Sequence, residues 1–282
     1  MTICVAVKVQ DCLVFAADST SSLQARSADG QAFTVNTYDN ANKVFNLRKG
    51  LPIAAMTAGI GNFGNSSIST IAKDFRKLTE ADGGPFEIQP DAYTIGQVAE
   101  LARDYLFNER FSKLEVKPEG DFHFWVGGYS SGADMGEIWR IDIRNGVCPP
   151  PHCEASADQA SRVCWGGAPE AINRLVLGYS QALETALEHG GIPKENLGSA
   201  LTEIAQYTQA NLEHPAMPTS DAIELARFLA ETTKQFVRFL PGANSVGGHI
   251  DIATITKHEN FKWVSRKHFY GSEFNPLETN HA

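Results

Sequence analysis

Strand-like and helix-like runs do not alternate along this sequence; they come in blocks, in the order ββ, ββ, αα, ββ, β, ααα, ββ. Successive parallel strands need a crossover between them, usually a helix, whereas antiparallel strands are joined by short turns. The blocks therefore argue against a doubly wound parallel sheet and predict an α+β fold of antiparallel sheets covered by helices. Residues 53–58 are almost continuously apolar, so that strand needs burial on both faces. Two stacked sheets between two helix layers, a four-layer αββα sandwich, supply it.

Residues 2–9 alternate apolar and polar positions, Gln10 and Asp11 offer a turn, and residues 12–17 resume the strand, which predicts an N-terminal hairpin. Residues 19–42 are rich in Ser, Gln, Asn, Asp and Gly and read as an extended loop or irregular hairpin. A second hairpin is expected over 43–47 and 51–58. A helix follows through Ile68, Ile71, Ala72, Phe75 and Leu78, with Asn65 or Ser66 as its cap, and the next helix opens on the capping box Thr94-Ile95-Gly96-Gln97. Strands are expected over 122–129, 137–142 and 161–165. One helix should run through Ala171, Ile172, Leu175, Tyr179, Leu183 and Leu187 to Gly190, followed by a helix through Leu197, Leu201, Ile204 and Leu212 and another from near Ser220 through Phe236. Strands at 249–256 and 261–264 close the series. No repeat or linker divides it, so residues 1–264 read as a single domain and 265–282 as a loosely held C-terminal extension.

Composition narrows the partners. A formal net charge of -9 and the lack of a basic patch argue against nucleic acid or an anionic membrane surface, and favour a peptide or small-molecule substrate. No apolar run approaches the roughly 20 residues of a membrane span, and the first residues alternate instead of forming a signal-peptide core, so a cytoplasmic chain is expected. Five cysteines, an odd number, do not read as a disulfide framework. Cys148, His152 and Cys153 cluster around three prolines but lack a second ligand pair at finger-like spacing, so they read as a structural loop, with no metal and no cofactor expected.

The chemistry is concentrated in the first sixty residues. Thr2 stands directly behind Met1, and removal of Met1 would make it a nucleophile carrying its own base. A free α-amine has a pKa of about 7.7 to 8.0, so a useful fraction is unprotonated near neutrality. Such a nucleophile needs a carboxylate, a cation to lower the amine pKa, and backbone donors for the oxyanion. Asp18 ends the second strand, and hairpin pairing returns it toward Thr2. Lys43 opens the next strand in an apolar stretch, where a buried ammonium favours Asp18 as counter-ion. Gly59 stands where a buried strand enters the glycine-rich loop 59–64 before a helix, a turn able to present a backbone N–H to negative charge. Singly, these residues read as a strand-end cap, a surface lysine and a plain turn; together they describe a catalytic set.

Thr2, the strand ending Phe15-Ala16-Ala17-Asp18, Lys43-Val44-Phe45 and Met56-Thr57-Ala58-Gly59 resemble the proteasome β-subunit pattern, which identifies the chain as a member of the Ntn-hydrolase family. Gly127-Gly128-Tyr129, Ile138-Trp139-Arg140-Ile141-Asp142 and Val246-Gly247-Gly248-His249-Ile250-Asp251-Ile252 extend the likeness over nearly the whole chain. Within the family, it looks most like the bacterial proteasome homologues called BPH, with the Anbu proteins next. The resemblance implies an αββα sandwich, stacked rings of identical subunits, and an N-terminal threonine endopeptidase acting on peptides or unfolded proteins inside a chamber. It implies Thr2, Asp18 and Lys43 as catalytic residues, Gly59 N–H as oxyanion donor, and Ala41 and Thr57 as lining a substrate pocket. Nothing resembles an ATP-binding loop, so an ATPase unfoldase would be a separate protein.

The sequence also departs from the pattern. The segment between Asp18 and Lys43 is longer than usual, Gly166 stands where the family has a serine, and Gly242 or Ala243 stands where it has an aspartate. Ser245 is the nearest remaining hydroxyl and is carried as a supporting residue. Those losses, and the chance that Met1 is retained, leave a second expectation: a ring-forming homologue with little or no peptidase activity, acting as a binding or compartment protein.

Overall fold

A computed structural model describes residues 2–27, 29, 31–242 and 244–267 of the 282-residue chain. It opens with β1 (Ile3–Lys8) and β2 (Leu13–Ala17), an antiparallel hairpin closed by Val9 N–H donating to Cys12 O at 3.0 Å. The polar stretch that follows takes the irregular-hairpin form: β3 (Ser21–Arg26) pairs with β4 (Ala32–Tyr38), with a register shift at Leu23 and Gln24. The second expected hairpin is present as β5 (Val44–Asn46) and β6 (Ile53–Gly59).

Two short strands, β7 (Asn62–Phe63) and β8 (Ser66–Ser67), lead into α1 (Ile68–Thr79). Its cap is Ser67, past the expected Asn65 or Ser66 by two residues or one, with Oγ accepting Thr70 N–H at 3.2 Å. The helix α2 (Ile95–Arg103) starts on the expected capping box: Thr94 Oγ1 accepts Gln97 N–H at 3.2 Å and Gln97 Oε1 accepts Thr94 N–H at 2.9 Å. It runs on as a π-helical segment, Asp104–Phe111.

Then come β9 (Phe122–Gly128), β10 (Glu137–Ile143), β11 (His152–Ala155) and β12 (Arg162–Gly167). The strand β11 corrects the loop reading of His152 and Cys153, which pair with Arg140 and Trp139 of β10. The single helix expected over 171–187 is also corrected. After α3 (Glu170–Ile172) and a π-helical turn, Asn173–Leu177, the helix stops at Gly178 and restarts as α4 (Ala182–His189). Gly178 has φ 81°, and a Cβ there would lie 2.6 Å from the Cβ of Thr208, so both conformation and space demand glycine. The last elements are α5 (Lys194–Thr208), which stops short of Leu212, then α6 (Thr219–Arg238), β13 (Asp251–Thr256) and β14 (Asn260–Ser265).

The main strands form two five-stranded antiparallel sheets, ordered β12-β1-β2-β13-β14 and β11-β10-β9-β6-β5. Alternate residues of β1 and β2 divide between two cores. Cys4, Ala6, Leu13 and Phe15 pack against Ala54, Met56 and Trp125 of the other sheet. Val5, Val7 and Val14 pack with Ala226 and Leu229 of α6. The far face of the second sheet, with Ile53, Ala55, Phe124 and Val126, packs with Phe75 of α1 and Val98 of α2. This explains why β1 and β2 are buried at every position. Each such Val, Ile or Phe contributes about 1.5–3 kcal/mol on full burial. Among the described residues, no helix is long and apolar enough to cross a membrane.

Candidate active site

Asp18 sits one residue past β2. Because Cys4 pairs with Ala17, Asp18 falls beside Ile3 at the start of β1. Its carboxylate is buried, and both oxygens carry two donors: Oδ1 accepts Ile3 N–H at 3.0 Å and Lys43 Nζ at 2.7 Å, while Oδ2 accepts Thr20 N–H at 3.1 Å and Gly247 N–H at 3.0 Å. Lys43 is only 6% exposed and immediately precedes β5, so the ion pair joins the two sheets. The long segment between these residues is accommodated by the β3–β4 hairpin without separating them.

Thr2 precedes β1 and is 5% exposed, one peptide from the N–H that Asp18 accepts. Cys4, two residues on, donates its thiol to Thr57 O at 3.2 Å. Burial pushes the Cys4 thiol far above its ordinary pKa, outweighing the lowering by Lys43, so it stays protonated and offers no competing thiolate.

Gly59 ends β6 with φ 91°, and a Cβ there would lie 1.9 Å from Asp121 O, so only glycine fits. Thr57 N–H donates to Lys43 O at 2.9 Å; strand alternation therefore directs Gly59 N–H toward the same edge, beyond the start of β5. Ala41 lies just before that strand, its N–H held by Ser19 O at 2.8 Å. Thr57 is buried, its hydroxyl donating to His123 O at 3.2 Å.

The remaining expected positions are less engaged. Ser245 is 8% exposed, and its Oγ has no hydrogen-bond partner among the described residues. A Cβ on Gly166 would lie 2.7 Å from the Trp125 ring, so the indole fills the space a serine would need. Gly242 is exposed; Ala243, Met1 and residues 268–282 lie outside the described residues.

Sequence reasoning missed a second buried ion pair beside the first. Lys267 Nζ contacts Asp251 Oδ2 and donates to Ser19 Oγ at 2.8 Å, while Lys267 N–H donates to Asp251 Oδ1 at 3.2 Å. Burial lowers the Lys267 pKa against the opposing pull of Asp251, and the charge of Lys43 lowers it further. Ser19 Oγ in turn donates to His249 O at 2.6 Å. The available signal was Asp251, an acid within the apolar run 250–255. Its partner stands in the stretch that reads as a loose tail, so the first residues of that stretch are anchored.

A further cluster missed from sequence lies in the second sheet. His123 Nδ1 meets Asp142 Oδ1 at 2.5 Å, Arg140 Nε donates to Asp142 at 2.8 Å and Arg140 Nη1 to Glu154 at 3.0 Å, while Trp125 Nε1 donates to Glu154 at 2.9 Å. Burial alone would raise the pKa of Asp142, but the His123 hydrogen bond and the Arg140 charge outweigh it and hold it at about 2. Among the described residues, no group of three or more His, Cys, Asp or Glu could hold a metal ion.

This is a mixed α/β chain whose fold is similar to that of Anbu. Its structure matches a Gly-1 mutant of Anbu from Hyphomicrobium sp. strain MC1 with a TM-score of 0.52 and 16% identity, over 95% of this chain and 86% of that one. The Anbu complex from Pseudomonas aeruginosa, described as a helical assembly, matches with a TM-score of 0.49 and 16% identity, over 96% and 90% of the respective chains. Both are chains of the Anbu group, the second of the two named from the sequence. No family model matches the chain, and no curated protein sequence does.

Proposed function

We propose that this chain is an N-terminal threonine endopeptidase of the Ntn-hydrolase kind: an αββα sandwich, assembled into stacked cytoplasmic rings, that cleaves peptides or unfolded proteins inside a chamber. The observation that carries this reading is the buried Asp18–Lys43 pair at 2.7 Å, with Asp18 also holding the N–H of Ile3 next to Thr2. Once Met1 is removed, Thr2 Oγ attacks the scissile carbonyl and the Thr2 amine accepts its proton, directly or through a water. A neighbouring ammonium favours the neutral amine, which is the role assigned to Lys43, with Asp18 compensating its charge. Gly59 N–H stabilises the tetrahedral oxyanion. The amine then protonates the leaving nitrogen, and water hydrolyses the acyl-enzyme. The reaction as drawn uses no cofactor, and any ATPase unfoldase would act as a separate partner.

A second reading, a ring-forming compartment or binding protein with little peptidase activity, is favoured by the Trp125 ring against Gly166, which leaves no room for a supporting serine. N-terminal mass determination, followed by labelling with an electrophilic threonine-protease inhibitor, separates the two. The peptidase reading expects loss of Met1, a label on Thr2, and no turnover by the Thr2→Ala protein. A processed chain that never labels sinks it.

A further inference from the structure

A cavity of about 500 Å³ has Gly166 and Gly167 of β12, the strand paired with β1, among its walls. In the first sheet β1 lies between β12 and β2, and β2 continues into Ser19, which holds Ala41. A substrate whose acyl portion runs along the Ser19–Ala41–Gly59 edge therefore directs its leaving group toward β12 and this cavity. The connection is close. A Cβ on Gly167 would lie 1.9 Å from Thr2 O and 3.5 Å from the Cβ of Ala58, and Ala58 pairs with His123, another wall residue.

The lining includes His123, Arg140 and Arg144, with Asp142 and Glu154 paired to the arginines, and the only carboxylate among the lining residues, Glu170, is already engaged by Arg174 Nε and Ser180 Oγ at 2.7 Å each and by Gln181 N–H at 3.0 Å. Arg140 is incompletely satisfied. Its Nε and Nη1 have carboxylate acceptors, but the sole contact of Nη2 is His123 Nδ1 at 3.2 Å. That ring nitrogen also meets Asp142 at 2.5 Å, and a nitrogen that donates to a carboxylate cannot accept from a guanidinium. Arg140 Nη2 is thus left without an acceptor among the described residues. Arg144, half exposed, stands on the rim with only a 3.5 Å contact to Asp142. The lining also includes the apolar side chains of Trp165, Phe236 and Leu240.

We propose that this cavity binds a carboxylate carried on the leaving-group side of the amide substrate, with an aliphatic portion against Trp165, Phe236 and Leu240. The inference rests on the threonine-peptidase reading for its orientation, but the binding itself can be measured without turnover. A guanidinium with an unfilled donor next to a second arginine suits a carboxylate, whether the C-terminus of a peptide or the side chain of an acidic residue after the scissile bond.

The test is calorimetric titration of the full-length Thr2→Ala protein with Ala-Ala-Leu as free acid, with its C-terminal amide, and with Ala-Glu-Leu amide. At least one carboxylate-bearing peptide should bind about tenfold or more tightly than the neutral amide, and which one does so identifies the source of the carboxylate. Arg140 is tied into the sheet, so the informative variant is Arg144→Gln at the exposed rim, which should shrink the preference; added salt should shrink it as well. Equal binding of all three peptides, no binding of any, or a preference untouched by both Arg144→Gln and salt overturns the proposal. Carboxylate binding by a protein whose Thr2 never labels would remove the nucleophile and leave the cavity assignment standing; a labelled Thr2 without carboxylate preference does the reverse.

Discussion

Replacing Asp18 by Asn leaves the Lys43 ammonium buried without its counter-ion and puts an amide donor where donors already converge. Breaking a buried pair in this way costs about 3–5 kcal/mol, measured as a lower urea midpoint at unchanged slope. Lys43→Met should cost less, because the backbone donors of Ile3, Thr20 and Gly247 still satisfy Asp18. Equal losses in the two variants would contradict this asymmetry. Gly166→Ser should not supply a usable hydroxyl: the added atoms meet the Trp125 ring, at a cost of about 1–3 kcal/mol for overpacking, and peptide turnover should not rise. The meeting of Asp18 and Lys43 was legible because hairpin pairing places the first and burial of a lone ammonium demands the second. The Asp251–Lys267 pair was not, because composition cannot tell an anchored lysine from one in a solvated tail.

Among the elements, local chemistry was legible wherever it repeats over several residues. The capping box at Thr94 is one case, and Thr94→Ala should cost about 1 kcal/mol of stability in thermal or urea unfolding. The break at Gly178 was hidden because Leu175, Tyr179 and Leu183 keep the helical period across it, so only one glycine marks the stop. Gly178→Ala forces a side chain into φ 81° against Thr208, and it should destabilise the protein by more than about 1 kcal/mol. A helix that could simply continue would be stabilised by the same change. β11 was hidden differently: it has four residues, too few to show alternation, and follows a proline run.

At the scale of the molecule, the part-buried cluster around Asp142 makes stability depend on acid. Its folded pKa of about 2 lies below the ordinary value of 3.8, so its contribution is fully present above pH 3.8 and is lost as pH falls toward 2. Asp142 is only partly shielded, so the loss is on the order of 1 kcal/mol. Urea titrations across that window should show it, and Asp142→Asn should flatten the slope. The hairpins β1–β2 and β5–β6 were legible from hydrophobic period and turn residues, but the pairings that join hairpins into sheets, and the polar groups that tie one sheet to the other, were not or only partly so, since those contacts join residues far apart in sequence. The four donors to Asp18 illustrate this: they come from Ile3, Thr20, Lys43 and Gly247. During synthesis the first three emerge early and the last only after most of the chain has been made. A growing chain therefore carries an incomplete carboxylate cradle until Gly247 has emerged, and under the proposed peptidase reading its cutting edge stays unfinished until then.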